Sequence, residues 1–470
     1  MGIPANTIWA CGFGADTNGG GFVVGTAGGT DYSFQPAAQR ASADAVANGT
    51  TTLTSAAGGF TPAMVGNLVY LAGGSAALAA TRRYIVAVTD ANTIVVDAVV
   101  AAGTGITCNV GGALLTLAEL NQGPSRGMIG SNLAWLSGTL TVGAALAFAQ
   151  TVAPTNAIMP TRLRGCGAVR GDGGFATIRW NSLGATFLSF NGNGWELSNL
   201  IVDVNSKTAS SGIGGTGNNV DIYNCVIKNA TSSGVNNSGA QYWRIMGCEV
   251  FNNTGGGLSV YSNSQVIGNN VHNNGAHGIR AVSVGNVITH NHIWANAADG
   301  IITNANGYVA DNNVYGNNTQ TNGIRSTVTF PASTVINNII DSVAGTGFTA
   351  ASAAGWPASP FVDGNSYHGN GADMANIGDA GAVNPINAAD LYAFQYNKAP
   401  AADPYANKAG TPPDFTPNAA ATGGAIIRAA AVPRSWPALT MTQFADLGPT
   451  QHQDAGGSGG GGGGGTIIYC

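Results

Sequence analysis

The side chains of this sequence that could move protons are few, and among the carboxylates of its most regular stretch three are candidates: Glu249, Asp299 and Asp311. His277 precedes Asp299 by 22 residues and His290 precedes Asp311 by 21, each about one repeat away. A histidine stacked on an aspartate can serve as an acid/base pair, and it can equally be a hydrogen bond that ties adjacent turns together. Glycoside hydrolysis usually requires two carboxylates about 5 to 9 Å apart, and a calcium-assisted lyase needs clustered aspartates beside a basic residue. The spacing supplies neither, since Glu249 has no acidic neighbour in register and Arg280 and Arg325 stand apart from any acidic cluster. Glu249, Asp299 and Asp311 are the remaining catalytic candidates. No metal site and no cofactor are expected, and the reading leans away from an enzyme.

These residues are positioned by a repeat. From Leu197 to Tyr367 an aliphatic residue, two variable residues, Asn or Cys, one variable residue and an aliphatic or aromatic residue recur eight times, as in Val266/Asn269/Val271 and Ile288/Asn291/Ile293. Successive copies lie 25, 23, 21, 22, 21, 26 and 27 residues apart, the period of a solenoid rather than of a globular domain. Gly followed by an apolar residue recurs in phase, for example at Gly257-Leu258, Gly278-Ile279 and Gly300-Ile301. Short apolar runs broken by Gly, Asn and Ser, with no sustained helical period, predict short strands joined by turns.

Strand alternation then assigns faces. Cys225, Cys248, Asn269, Asn291, Asn312, Asn338 and Asn365 are predicted to form an interior ladder. The two cysteines should stack about 5 Å apart yet remain thiols, because parallel side chains oppose the near-perpendicular dihedral of a disulfide. Phe251, His272, Trp294 and Tyr315, flanked by Glu249 and His292 and followed by His368, are predicted to form an exposed aromatic strip. Three coverings fit such a strip: a glycan stacking on the rings, a subunit interface, or a loop such as Gly345 to Pro360.

The repeat resembles that of the right-handed parallel β-helix proteins, which include pectate-lyase-like enzymes and phage tailspikes. The resemblance covers more than half of the chain and implies an all-β solenoid of about 22-residue coils. NLAWLSGTLTV and TRLRGCGAVRGD resemble the opening coils of such families, so the solenoid should begin near Met128. The segments GGFTPAMVGNLVYLAGG and RRYIVAVTDANTIVVD resemble modules that precede β-helices in phage virion proteins. ADPYANKAGTPPDFTPNAAATGG, with Asp446, Leu447, Gly448 and Gln451, is similar to a closing segment.

The organisation expected is a small N-terminal all-β domain over 1–124, a β-helix over 125–390, a closing segment over 391–456, and a Gly-rich tail over 457–470 ending in an apolar tip at Cys470. In the first of these, strands are predicted over Val65 to Leu71, Tyr84 to Val88 and Ile94 to Asp97, the last two joined by a loop from Thr89 to Thr93. The six cysteines show no C-x-x-C spacing, so they read as small buried hydrophobes. Only 8% of residues are charged, against roughly a quarter in an average domain. With 17 basic against 22 acidic residues and no basic stripe, a nucleic-acid partner is excluded. Neither a signal peptide nor an 18-residue apolar span is evident, which fits a virion or extracellular location reached without a leader. The leading reading is a structural component of an extracellular assembly, a phage fibre, tailspike or capsid appendage. It would be a homotrimer, attach to other virion or surface proteins through residues 1–124 or the tail, and carry a face for a surface polysaccharide. A polysaccharide depolymerase, lyase or hydrolase, is the alternative, and a bacterial surface filament subunit is the third.

Overall fold

A computed structural model describes residues 3–149, 160–182, 186–207, 211–237, 239–327, 333–351, 362–363, 365–375, 405–408, 410 and 414–417. The closing motif around Asp446 and the tail ending in Cys470 lie outside these residues. The chain winds into a parallel β-solenoid with three strands per coil, stacked into one sheet of twelve strands and two of ten. A typical coil runs Gln265–Ile267 in the first sheet, Asn270–His272 in the second and Ile279–Ala281 in the third.

The corner between the first and second sheets explains the repeat. The residue before each ladder position from Cys225 to Asn338 has a left-handed backbone: Asn224, Gly247, Gly268, His290, Asp311 and Asn337 have φ between 47° and 66°. Asn, Gly, Asp and His tolerate this region best. The chain thereby turns inward, and the next side chain is buried. The Oδ1 of Asn291 accepts from the backbone N–H of Asn269 at 2.9 Å and from its Nδ2 at 3.0 Å. The same double bond runs from Asn291 to Asn312, Asn312 to Asn338 and Asn338 to Asn365, at 2.9 to 3.0 Å. Each Nδ2 also donates to a carbonyl of the preceding coil, as Asn291 does to Val266 at 2.9 Å. The ladder runs on into Cys248, whose N–H donates to Asn269 Oδ1 at 2.9 Å, and Cys225, whose N–H points at Cys248 Sγ at 3.4 Å.

A second ladder occupies the corner between the second and third sheets. Asn253 donates to Asn274, and Asn274 to Asn296, both at 2.9 Å through Nδ2. Here too a left-handed residue comes first: Asn252, Asn273 and Ala295. The glycines of the Gly-apolar pairs mark a close approach of successive coils, because a Cβ on Gly257, Gly278 or Gly300 would stand only 2.6 to 2.7 Å from the carbonyl oxygen of the next glycine in the column. Between the corners the interior is a single apolar stack in which Ile245, Val266, Ile288, Val309 and Val335 are fully buried.

Residues Arg40–Val110 close into a six-stranded antiparallel barrel with its own core, including Leu53, Leu71, Ile85, Ile94, Ile106 and Val110. The first 124 residues are not all barrel, however. Thr7–Cys11 pairs in parallel with Leu133–Ser137 and so extends the first sheet of the solenoid by one strand. Leu114, Leu117, Leu120 and Met128 enter the solenoid core and plug its open end, which an uncapped solenoid would expose to water. The hairpin placed over Thr89 to Thr93 is tighter than a five-residue loop, since Leu78–Asp90 and Thr93–Val96 leave only Ala91 and Asn92 between them. Barrel and cap are held by one buried cation. The Arg82 guanidinium bonds the Glu119 carboxylate at 2.6 Å and the carbonyls of Asp16 and Asn18 at 2.7 to 3.1 Å, while Arg126 donates to both Glu119 oxygens. Burial pulls the Arg82 pKa down and the Glu119 contact opposes that pull.

Two outcomes follow from this packing. Asn291→Leu should lower the unfolding free energy in urea by about 2 to 4 kcal/mol, because it strips partners from the buried Asn269 and Asn312 amides, each costing about 1 to 3 kcal/mol. The five cysteines among the described residues are buried thiols; burial drives the Cys11 and Cys225 pKa values well up, and although the hydrogen bond with Cys225 outweighs burial to lower that of Cys248, all five are shielded from solvent. They should therefore react with a thiol reagent only after denaturation; rapid modification of the native protein at Cys225 or Cys248 would contradict the core assignment.

Candidate functional site

The outward face of the second sheet has the register read from the repeat. Glu249, Asn270, His292 and Asn313 form one column, and Phe251, His272, Trp294 and Tyr315 the next. The rings stack nearly parallel: Phe251 on His272 with centroids 5.0 Å apart, and His272 on Trp294 at 4.1 Å. The strip is nevertheless not exposed. His272 and Trp294 retain 9% of their surface and Tyr315 7%. A hairpin of Tyr405–Asn407 and Asp414–Pro417 returns to the sheet, and Tyr405 packs with Trp294, Tyr315 and Ile339. Lys408 follows it, its ammonium 2.9 and 3.2 Å from the carboxylate oxygens of fully buried Asp341 and 5.7 Å from the Tyr315 ring. His368 Nδ1 lies 2.9 Å from the same carboxylate.

The strip is thus corrected from exposed to covered by the chain itself, the third of the three coverings; the covering groups over Trp294 and Tyr315 are Tyr405 and Lys408, and of the segment Gly345 to Pro360 residues 352–360 lie outside the described residues. The physical reason is that aligned rings already shield each other's faces, so a short hairpin with one aromatic and one cation completes their burial. His292 is half-buried, with Nδ1 3.3 Å from Asn313 Nδ2 and a pKa pushed down to about 4 by burial.

The three catalytic candidates go to three different places. Glu249 stays on the second sheet with Oε1 3.3 Å from His272 Nε2. Asp311 occupies a left-handed corner with φ 57°, its Oδ2 3.9 Å from His290 Nε2 in the equivalent corner one coil earlier. This arrangement makes the His290–Asp311 pair a feature of the turn. Asp299 lies on the third sheet, 5% exposed, and accepts from Asn322 Nδ2 at 2.6 Å and from Arg325 Nε and Nη2 at 2.9 and 2.7 Å.

The outer face of the third sheet brings together groups that the repeat left scattered. Ser259, Arg280, Ile302 and Arg325 are register partners on four successive coils. Beside them run Gly256, His277, Asp299 and Asn322, a column tied by Gly257 N–H to His277 O and Gly278 N–H to Asp299 O, both 2.9 Å, and by the pairing of Asp299 with Asn322. Arg325 is therefore the partner of Asp299 rather than a separate cation. The His277 ring lies over Gly256, where a Cβ would stand 2.2 Å from Nε2, and reaches Ser259 Oγ at 3.1 Å. Burial, assisted by the Arg280 charge, depresses the His277 pKa to about 4, while Asp299 pulls it the other way. Ser259 and Asn322 were missed by the sequence reading. The signal was present, because the residue after each Gly-apolar pair, Ser259, Arg280, Ile302 or Arg325, must point outward. Among the described residues, no three His, Cys, Asp or Glu side chains converge to hold a metal ion, and no helix is long and apolar enough to cross a membrane.

A family model described as the right handed beta helix region matches residues 176–318. With the three stacked parallel sheets, this makes the chain a right-handed parallel β-helix protein. No curated protein matches it. Among solved structures, pectate lyase Pel9A shares 12% identity over 73% of this chain and 92% of its own, with a TM-score of 0.46. An alginate lyase from Paenibacillus sp. str. FPU-7 shares 16% over 58% and 96%, with a TM-score of 0.42. The Dettilon tailspike protein shares 12% over 52% and 62%, with a TM-score of 0.30. These likenesses concern the fold.

The imidazoles give a pH dependence. An unfolded histidine titrates near 6.5, whereas folded His277 and His292 titrate at about 4 and His272 is also lowered, chiefly by burial. The unfolded state binds more protons between these values, so stability held above pH 6.5 is lost as pH falls toward 4. The thermal midpoint should drop across that window, and His277→Asn with His292→Asn should flatten the slope relative to the parent.

Proposed function

We propose that this chain is the rigid β-helical subunit of an extracellular assembly, a virion spike or fibre, and that it recognises a surface glycan through the outer face of its third sheet. The observation that carries this reading is the set Ser259, His277, Arg280, Asp299, Asn322 and Arg325. It places an exposed Arg280 beside a half-buried imidazole, amide and second guanidinium, with the Ser259 hydroxyl and the Asp299 carboxylate recessed among them, on coils about 4.8 Å apart, held by buried ladders that prevent the spacing from drifting. Donors and acceptors fixed before the ligand arrives suit a polyhydroxylated chain, because little ordering is left for binding to supply. The barrel clamped on one end by Arg82 supports an attachment role for that end.

Cleavage of glycosidic bonds is favoured less. Glu249, Asp299 and Asp311 lie on the second sheet, on the third sheet and in a corner, so they do not face one another across a cleft as a carboxylate pair must.

Arg280→Ala should reduce retention on a surface-glycan array at least tenfold while leaving the thermal midpoint nearly unchanged, since Arg280 is exposed and surface substitutions usually stay within about 0.5 kcal/mol. Trp294→Ala should do the reverse, lowering stability by about 3 kcal/mol or more with glycan retention intact. Retention indifferent to Arg280 and abolished by Trp294→Ala in a folded protein would move the site back to the second sheet.

A further inference from the structure

The third-sheet cluster holds more than a binding face, and this inference rests on the glycan reading only for its natural substrate. The geometry points to Ser259 as a nucleophile with His277 as its base, in a site that removes acyl groups from an O-acylated glycan.

Four observations carry it. Ser259 Oγ is 3.1 Å from His277 Nε2, within the range of a nucleophile and its base. The contact depends on Gly256, since any Cβ there would collide with the imidazole; elsewhere the same column carries side chains, Ser233 on the coil before and Asn322 and Thr346 beyond Asp299. Arg280 is the register partner of Ser259 on the next coil and is exposed, so a cation stands beside the hydroxyl. Asp299 follows His277 in its column, and its charge favours a proton on that ring. Hydroxyl and imidazole thus form a dyad across two successive coils, and Asp299, whose oxygens bond Asn322 and Arg325, acts on the ring through its charge alone. The depressed His277 pKa keeps the ring unprotonated at neutral pH and able to accept.

In the tautomer protonated at Nδ1, His277 Nε2 takes the proton as Ser259 Oγ bonds to the ester carbonyl carbon. The resulting oxyanion lies toward the Arg280 guanidinium. Collapse breaks the bond to the sugar oxygen, which leaves with the proton from His277. Water then attacks the acyl-serine, giving its proton to His277; the carboxylic acid departs and Ser259 Oγ recovers its proton. Asp299, fixed by Asn322 and Arg325, bears on His277 through its charge.

Two readouts separate this inference from the glycan reading. The full chain is treated with a fluorophosphonate probe and p-nitrophenyl acetate, neither of which needs a glycan site, and binding of O-acetylated polysaccharide is measured in parallel. The expected result is a probe adduct mapped by mass to Ser259, and ester turnover that falls about 10²-fold or more in Ser259→Ala and in His277→Asn, with melting curves confirming that both variants fold. Acetate release from the polysaccharide should show the same losses, and Asp299→Asn should shift the pH profile of turnover. Absence of an adduct at Ser259 and of turnover in the parent protein overturns the inference whether or not glycan binds. An adduct and turnover without polysaccharide binding uphold the dyad and overturn the glycan reading instead.

Discussion

Everything in this molecule depends on the hydrogen bonds that corner amides make between coils. A strand of three residues cannot define its own register, and apolar side chains alone would let one coil slide over the next. The Asn269 to Asn365 ladder prevents this, because each carboxamide oxygen from Asn291 to Asn365 takes both the backbone and side-chain N–H groups of the Asn on the coil before it. Moving one coil by a residue would break several buried bonds together. The second ladder at Asn253, Asn274 and Asn296 repeats the constraint at the next corner.

With register held, side chains that are 21 to 26 residues apart in sequence become neighbours, and the outer surface is organised in columns rather than along strands. This is why His272 lies between Phe251 and Trp294, and why Asp299 meets Asn322 and Arg325. Chemistry on such a scaffold is assembled across coils, one group from each. Room has to be made in the same way: the His277 ring can lie down toward Ser259 only because Gly256 occupies the coil beneath it.

A solenoid has ends, and the N-terminal one is closed by elements that come from both sides of the barrel in sequence. Thr7–Cys11 supplies a further strand, and the segment from Leu114 to Met128 supplies the plug. Arg82, reaching out of the barrel, binds that plug through Glu119 and the Asp16 and Asn18 carbonyls. Removing one member of a buried ion pair leaves an uncompensated charge, so this cluster couples the integrity of the barrel to that of the first coil. The long return of the chain at Tyr405 and Lys408 does similar work on the second sheet.

The periodicity of Asn, Gly and aliphatic residues determined by itself the solenoid, the strand faces, the interior ladder and the order of both outward columns of the second sheet. These follow from local rules: left-handed corners select Asn, Gly, Asp and His, and alternation sends Asn269 inward and Asn270 outward. Tertiary structure alone decided what covers what. Nothing in the repeat indicates that Tyr405 would pack against Trp294 and Tyr315 or that Lys408 would reach Asp341, because those contacts join segments with no common period. The meeting of Ser259 and His277 lies between the two cases. Their columns were legible from the Gly-apolar pairs, but the 3.1 Å contact required the imidazole to fold over a glycine, and a rotamer is selected by the space its neighbours leave.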